Sequence, residues 1–323
     1  MEKNSSREFL GQVGRGMILA GLGASLAVDL ELVQANEIDG EAVLSFGELE
    51  PLVALMQETE PNKLLPLLVE SLHKGSSLQT LVAAGALANA RTFGGNDYVG
   101  VRTCMALAPA YRMSQQLPES QRPLPVLKVL YRNAKRIQEF GGRPQEVLRP
   151  VRADVMPANA MPGEYLRELS RSGDVEVAER AFAGLAAGPV GEAFNHLQYA
   201  VEDEVDVHRV VLAWRAWDTL ELAGQEWAHC LLRQSIRYCT RVEHEMNARG
   251  HKHSAIRSVL PKLLDDYQLL SRPMGQRTGD ETWLQEMADT MFWGSQEEAA
   301  GAAAAALREG YALESVGEAM SLA

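Results

Sequence analysis

The chain has 323 residues, enough for one large domain or two ordinary ones. Aromatic residues make up only 6% of it, Ala, Leu, Val and Glu recur, and runs of β-branched residues are scarce, so the composition favours helix over sheet. The formal net charge of −12 would repel nucleic acid and anionic lipid unless a local basic patch overrides it. We therefore expect an all-α protein that does not bind nucleic acid.

The first 27 residues have the pattern of a secretory leader. A short polar start with three basic residues precedes an uncharged run over 17–28, which is too short to span a bilayer but fits the apolar core of a signal peptide. Small residues allow cleavage after Ala27. We predict a leader over 1–27, export to the periplasm and no stable membrane span after its removal. A cytoplasmic protein that retains this segment is the alternative.

The segment Ser5-Ser6-Arg7-Glu8-Phe9-Leu10 resembles the twin-arginine export motif, in which two consecutive arginines precede a variable residue, Phe and Leu. Ser6 stands where the first arginine belongs, and the arginine pair is what the transport machinery reads. The resemblance implies transport of an already folded protein, often one that has acquired a cofactor.

Helical periodicity begins after an acidic lead-in over 28–46 and continues to the C-terminus. The predicted helices cover 49–58, 61–72, 78–93, 98–113, 126–140, 163–172, 175–185, 190–201, 205–222, 225–247, 253–270, 281–293 and 296–320. Two of them, 98–113 and 205–222, are apolar on nearly every side, which is typical of central helices. We predict a single multi-helix bundle over 28–323, built of antiparallel helical hairpins around these two buried central helices. The proline-rich segment 145–162 is a candidate internal boundary, although a surface crossover within one domain explains it equally well.

The densest basic run comprises Lys128, Arg132, Lys135 and Arg136. Its helical spacing predicts the solvent-facing side of an amphipathic helix rather than a nucleic-acid site.

Three cysteines, Cys104, Cys230 and Cys239, cannot form a disulfide framework. We interpret them as small buried residues. The last two are too far apart on one predicted helix to bridge each other, and the pairing of Cys104 with either stays open.

Two segments resemble a group of uncharacterised helical proteins of environmental bacteria such as planctomycetes. These are Leu72-His73-Lys74-Gly75-Ser76-Ser77, before an Ala-rich helix, and His208-Arg209, which open a helix containing Ala213-Trp214-Arg215. More remotely, residues 60–245 are similar to the questin-oxidase-like fold, in which histidines likewise open long helices. The resemblance implies a helical bundle with a redox or small-molecule role.

The most informative single residue is His208, which lies in the first turn of a predicted buried helix beside Asp206 and Arg209. Buried charged groups must be paired, solvated or bound to a ligand, because leaving them unpaired costs several kcal/mol. A hydrogen-bonded capping histidine is the structural alternative.

We predict a pocket at the N-terminal ends of the two central helices, where such polar groups would meet. The candidate catalytic residues are Asp97, Arg102, His208 and Arg209, the candidates for cofactor binding are Tyr98 and Trp214, and the candidate metal ligands are His196, His208 and His229. Imidazoles that converge on one point could hold a metal, but no H-E-x-x-H or other diagnostic spacing is present.

The sequence thus leaves two functions open. One is an exported oxidoreductase that depends on a metal or other cofactor, of unspecified identity, and acts on a small molecule. The other is a non-catalytic helical binding or scaffold protein, in which the histidines and acidic residues are structural.

Overall fold

The protein is described by a computed structural model over residues 43–323. It is all-α, as predicted: this range holds fourteen α-helices and, in place of strands, one isolated bridge between Arg277 and Tyr311. The helices are α1 Glu50–Glu58, α2 Pro61–His73, α3 Leu78–Phe93, α4 Tyr98–Gln115, α5 Pro123–Phe140, α6 Pro162–Ser172, α7 Val175–Ala186, α8 Val190–Val201, α9 Val207–Ala223, α10 Ala228–Arg249, α11 Ile256–Asp266, α12 Glu281–Trp293, α13 Gln296–Arg308 and α14 Leu313–Leu322. The predicted leader and most of the acidic lead-in lie outside the described residues. None of these fourteen helices combines the length and the apolar character that crossing a membrane requires.

The described chain divides into two compact units. The first comprises the residues up to Val201 together with Asp206–Gly250, and the second comprises Glu202–Val205 and His251–Ala323. The candidate boundary at 145–162 therefore lies inside the first unit, and the division at Gly250 was not predicted. The physical reason is that helices on both sides of 145–162 share one hydrophobic core, whereas α12–α14 surround a small core of their own.

The first unit has two central helices, but they are α3 and α10 rather than the predicted pair. Every α3 residue from Leu81 to Phe93 is buried, and α3 packs against α1, α4, α5, α9 and α10. Helix α10 is buried over most of its first half and packs against α6, α7, α8 and α9. The predicted central helices, α4 and α9, each expose one side, with Val99 on α4 and Val210 and Trp214 on α9 about half exposed.

The central position of α3 and α10, in place of the predicted pair, has a physical cause in each helix. Small side chains let neighbours approach α3 closely; a Cβ atom added at Gly85 would lie 2.4 Å from the Leu130 side chain of α5. Helix α10 carries buried arginine, glutamine and glutamate residues, which a count of apolar positions assigns to the surface. Ion pairs and hydrogen bonds make their burial tolerable.

Side-chain caps stabilise the starts of α3, α4 and α9. Ser77 accepts a hydrogen bond from the Thr80 amide at 3.0 Å, and Asp97 accepts one from the Gly100 amide at 2.6 Å. Asp206 caps α9 by accepting a hydrogen bond from the amide of His208 at 2.8 Å. These caps satisfy backbone donors that the helix itself cannot pair.

In the second unit, the predicted helix over 296–320 is two helices, α13 and α14. Gly310, with a φ of +91°, breaks the chain between them. The Tyr311 ring then stacks on that of Trp283, with centroids 4.0 Å apart. A prediction from the Ala-rich run alone misses this break, because the run favours continued helix.

Candidate functional site

The structure brings several of the predicted site residues together at the N-terminal ends of α4 and α9. The rings of Tyr98 and His208 have centroids 4.8 Å apart, and the Arg102 guanidinium lies 4.2 Å above the Tyr98 ring. Asp206 links this group to α10, since its carboxylate accepts a hydrogen bond from the Tyr238 hydroxyl at 3.0 Å and lies 3.2 Å from Nδ1 of His208. Burial beside that carboxylate raises the pKa of the Tyr238 hydroxyl. The side chains pack against one another as an aromatic cluster, which we call the Tyr98–His208 cluster.

Two of the candidate catalytic residues are committed to ion pairs. Asp97 receives hydrogen bonds from Nη2 and Nε of Arg136, at 2.6 and 2.9 Å, and this pairing holds the pKa of the Asp97 carboxyl below its ordinary value. Arg209 is fully buried and donates to Glu243 at 2.7 Å and to the carbonyl oxygen of Ala200 at 3.1 Å. Both pairs join separate helices, which gives each residue a structural role.

The predicted metal site of His196, His208 and His229 is not formed. Among residues 43–323, no group of three or more His, Cys, Asp and Glu side chains is placed to hold a metal ion. His229 is buried with its ring against that of Phe182, at a centroid distance of 6.0 Å, and His196 lies half-buried on α8. The three cysteines are buried and form no disulfide within residues 43–323, and burial raises the pKa of the Cys104 thiol to about 12. A thiol with such a pKa is unreactive at neutral pH.

A cavity rich in arginine opens in the first unit, next to this cluster. It has a volume of about 650 Å³ and is lined by Asn96, Val147, Arg149, Pro150, Val151, Arg152, Val175, Glu176, Glu179, Arg180, Arg237 and Arg241. We call it the arginine cavity. Its lining holds five arginines against two glutamates, in a chain whose formal net charge is −12. This local reversal of charge makes it the strongest candidate site for an anion.

One wall of the arginine cavity is the segment between Gln145 and α6, which has no regular secondary structure over 146–161. This is the proline-rich stretch that the sequence offered as a boundary or a crossover. It is held firmly: the amides of Val147 and Leu148 donate to the carbonyl oxygen of Arg91, and the Asp154 amide donates to that of Arg180. An irregular segment fixed in this way can present side chains to a ligand from a rigid position.

Helix α10 contributes Arg237 and Arg241 to another wall. They follow Arg233 at four-residue spacing, so the three arginines share one helix face. Arg237 contacts Glu179 of α7 and donates through Nε to the carbonyl oxygen of Gly94 at 3.1 Å. Arg233, on the same face of α10, is fully buried and donates a hydrogen bond to the carbonyl oxygen of Arg149 at 2.8 Å. The row therefore ties together the three segments that form the cavity.

Carboxylates outside the lining pair with three of its arginines. Glu146 pairs with Arg149, Asp154 with Arg180, and Glu245 with Arg241. Arg152 is exposed and has no ion pair within residues 43–323. Because each guanidinium has five donor hydrogens, one carboxylate partner leaves donors for a bound anion.

These arginines were not predicted from the sequence, although two signals for them were present in it. One was the four-residue spacing along α10, and the other was the pair Arg149 and Arg152 in the proline-rich segment. The predicted site lies close by: Asn96, which lines the cavity, directly precedes Asp97, and the Arg241 guanidinium lies 5.4 Å from the Tyr238 ring of the cluster.

Comparison of the chain with protein-family models, with curated proteins and with solved structures finds no significant match.

Proposed function

We propose that this protein is a helical binding protein, exported from the cytoplasm, that holds a small anionic molecule in the arginine cavity. The observation that carries the proposal is the convergence of five arginines on one cavity of about 650 Å³ in an acidic chain. Cavities of this volume suit small-molecule ligands. The planar fork of arginine matches carboxylate and phosphate oxygens in pairs, so the ligand class is a polycarboxylate or a phosphate ester.

The cavity is also organised before a ligand arrives. The contacts of Arg237 with Glu179 and Gly94, and the pairing of Arg180 with Asp154, fix these side chains in place. A ligand would then lose less affinity to side-chain ordering than it would on flexible surface arginines. The apolar residues Val147, Val151 and Val175 in the lining would contact the carbon skeleton of the ligand.

Titration calorimetry with citrate and with inorganic phosphate tests this proposal. We expect saturable binding of at least one of them, and weakening by about tenfold or more in the variant Arg152→Gln/Arg180→Gln, because a hydrogen bond to a charged group contributes roughly 1.5–3 kcal/mol. The matched control is Lys63→Gln/Arg122→Gln, which removes the same charge from exposed positions elsewhere in the first unit. Equal affinity of the cavity variant and the wild type for these anions would contradict the proposal. So would a titration with sodium chloride, at equal ionic strength, that releases the same heat as the titration with citrate or phosphate.

The oxidoreductase suggested by the sequence is a separate hypothesis and stays a prediction. Its test is direct, because a purified enzyme of that kind would contain a metal, flavin or haem. Elemental analysis and the visible absorbance spectrum of the full-length protein would detect them. Loss of such a signal in a His208→Ala variant would place the group at the Tyr98–His208 cluster.

A further inference from the structure

Helix α9 carries a row of apolar side chains on its exposed side. Val207, Val210 and Trp214 recur at helical spacing, and their exposed fractions are 65%, 56% and 51%. This row is the reason why the sequence predicts complete burial for α9. Exposed apolar residues at this density on one face indicate a surface that meets something other than water.

The row belongs to a larger surface. Helix α4 packs against both α5 and α9, and α3, which is buried from Leu81 to Phe93, packs beneath all three. The exposed side chains of α4, α5 and α9 therefore lie on the side of this layer away from α3. We call this surface the outer face of the first unit.

Aromatic and aliphatic residues continue across α4 toward α5. Tyr98 and Val99 are each nearly half exposed, and Tyr98 contacts His208 at the start of α9. Val99 also lines a groove of about 470 Å³ between α4 and α5. The apolar part of the outer face thus reaches the edge of that groove.

The groove is strongly basic. Lys128, Arg132, Lys135 and Arg136 line it, with Glu139 as the one acidic residue in its lining. These are the residues that the sequence placed on the solvent-facing side of an amphipathic helix, and Lys128, Arg132 and Lys135 are exposed. The layer as a whole is basic too: apart from the buried Arg209 and Asp218, α4, α5 and α9 together hold seven Lys and Arg residues and two Asp and Glu residues.

We propose that the outer face docks on an anionic phospholipid surface, with headgroup phosphates in the basic groove and Tyr98, Val99, Val210 and Trp214 at the depth of the interface. An acidic protein would match only the charge of this face. An anionic bilayer matches both features, since its phosphates attract Lys and Arg while Trp and Tyr favour the boundary between headgroups and acyl chains. The local basic patch is what would overcome the repulsion expected from the net charge of −12.

Sedimentation of the full-length protein with lipid vesicles tests this proposal. We expect binding to vesicles of equal parts phosphatidylglycerol and phosphatidylcholine, weaker binding as salt is raised, and little binding to phosphatidylcholine alone. The double variant Lys128→Glu/Arg132→Glu should lower the partition coefficient by about tenfold or more, because it reverses two charges at the headgroups.

The matched control is Lys63→Glu/Lys74→Glu, which makes the same charge change at two exposed positions, one on α2 and one directly after it. Trp214→Ala is the second test variant, and it replaces the first if circular dichroism shows that the charge variant is unfolded. It should weaken binding while leaving the salt dependence intact.

Three results would overturn the proposal. The first is equal binding to neutral and anionic vesicles. The second is binding that neither variant changes, as insertion through the N-terminal apolar run would give. The third is absence of binding to the anionic vesicles. Self-association that Trp214→Ala abolishes would then assign the outer face to a second copy of the chain.

Discussion

At the scale of single residues, Arg91 is the most consequential side chain of the first unit. It is fully buried near the end of α3, where its guanidinium donates to Gln57 at 2.9 and 2.5 Å, to Glu50 at 2.9 Å and to the carbonyl oxygen of Leu44 at 2.7 Å. Its Nε also lies 3.4 Å from a carboxylate oxygen of Glu146. One side chain thereby joins α1, α3, the segment before α1 and the segment that forms a wall of the arginine cavity.

Replacing Arg91 with alanine should therefore destabilise the protein strongly. The substitution leaves the buried Gln57 oxygen without its arginine donor and removes one of the two arginines beside the buried Glu146 carboxylate. Breaking a buried ion pair in this way costs about 3–5 kcal/mol. Urea denaturation followed by circular dichroism measures the change in the free energy of unfolding. Arg122→Ala, at an exposed position, is the control and should change it by less than about 0.5 kcal/mol. A similar small change for Arg91→Ala would show that the network contributes no net stability.

The sequence could not predict this role of Arg91. An arginine in the last turn of a helix ordinarily faces solvent and interacts with the helix dipole. Its partners lie 34 to 47 positions earlier in the chain or, for Glu146, beyond two further helices. No local pattern specifies contacts at such separations. Asp97 is a similar case: its capping role was predictable from its position, but its pairing with Arg136 depends on how α4 packs against α5.

At the scale of elements, the sequence predicted where the helices begin and end, but not which face of each helix is buried. Leu78–Phe93, Val190–Val201 and Glu281–Trp293 have the bounds expected from caps, glycine stops and periodicity. These signals act within a few residues, so they survive in any tertiary context. Whether an apolar row meets another helix depends on the rest of the molecule, and for that reason α9 was assigned to the centre of the bundle and α10 was not.

The turn between α3 and α4 shows how one element positions the candidate site. Gly94 accepts the hydrogen bond from Arg237, and Gly95, with a φ of +79°, lies against the backbone of α10. A Cβ atom at position 95 would be 2.3 Å from the carbonyl oxygen of Gln234. Only glycine fits both the conformation and the contact.

Gly95→Ala should therefore push α10 away from the turn and lower the free energy of unfolding by roughly 1–3 kcal/mol. It should also weaken anion binding, since Arg237 is aligned through this turn. Thermal unfolding and titration with citrate measure the two effects. The control is Gly191→Ala on α8, where an added Cβ meets no atom within 4 Å, so stability should stay the same or rise slightly. An unchanged melting temperature for Gly95→Ala would mean that the turn and α10 can separate at little cost.

At the scale of the whole molecule, charge is distributed unevenly. The chain as a whole is acidic, yet the first unit concentrates arginine in one cavity and lysine and arginine on the outer face. Helical content and net charge follow from composition and were predictable. The arginine cavity was not, because the five arginines come from the irregular segment, α7 and α10, which are adjacent only in the folded chain.

Export is a prediction about the whole molecule that rests on the sequence alone. When the full-length gene is expressed in a bacterium, we expect the protein in the periplasmic fraction with an N-terminus at Val28, because the apolar run over 17–28 has the length and composition of a leader. A chain lacking residues 2–27 should stay in the cytoplasm. Cell fractionation and N-terminal mass spectrometry measure both outcomes.

The substitution Ser6→Arg separates the two routes of export, because it completes the arginine pair of the twin-arginine motif without altering the apolar run. If the protein is transported folded, this change should raise the exported fraction, and blocking the twin-arginine route should abolish it. If the general secretory route is used, Ser6→Arg should have little effect. Uncleaved protein in the cytoplasm for both the natural and the Ser6→Arg sequence would show that residues 1–27 do not act as a leader, and an anionic ligand would then have to be sought among cytoplasmic molecules.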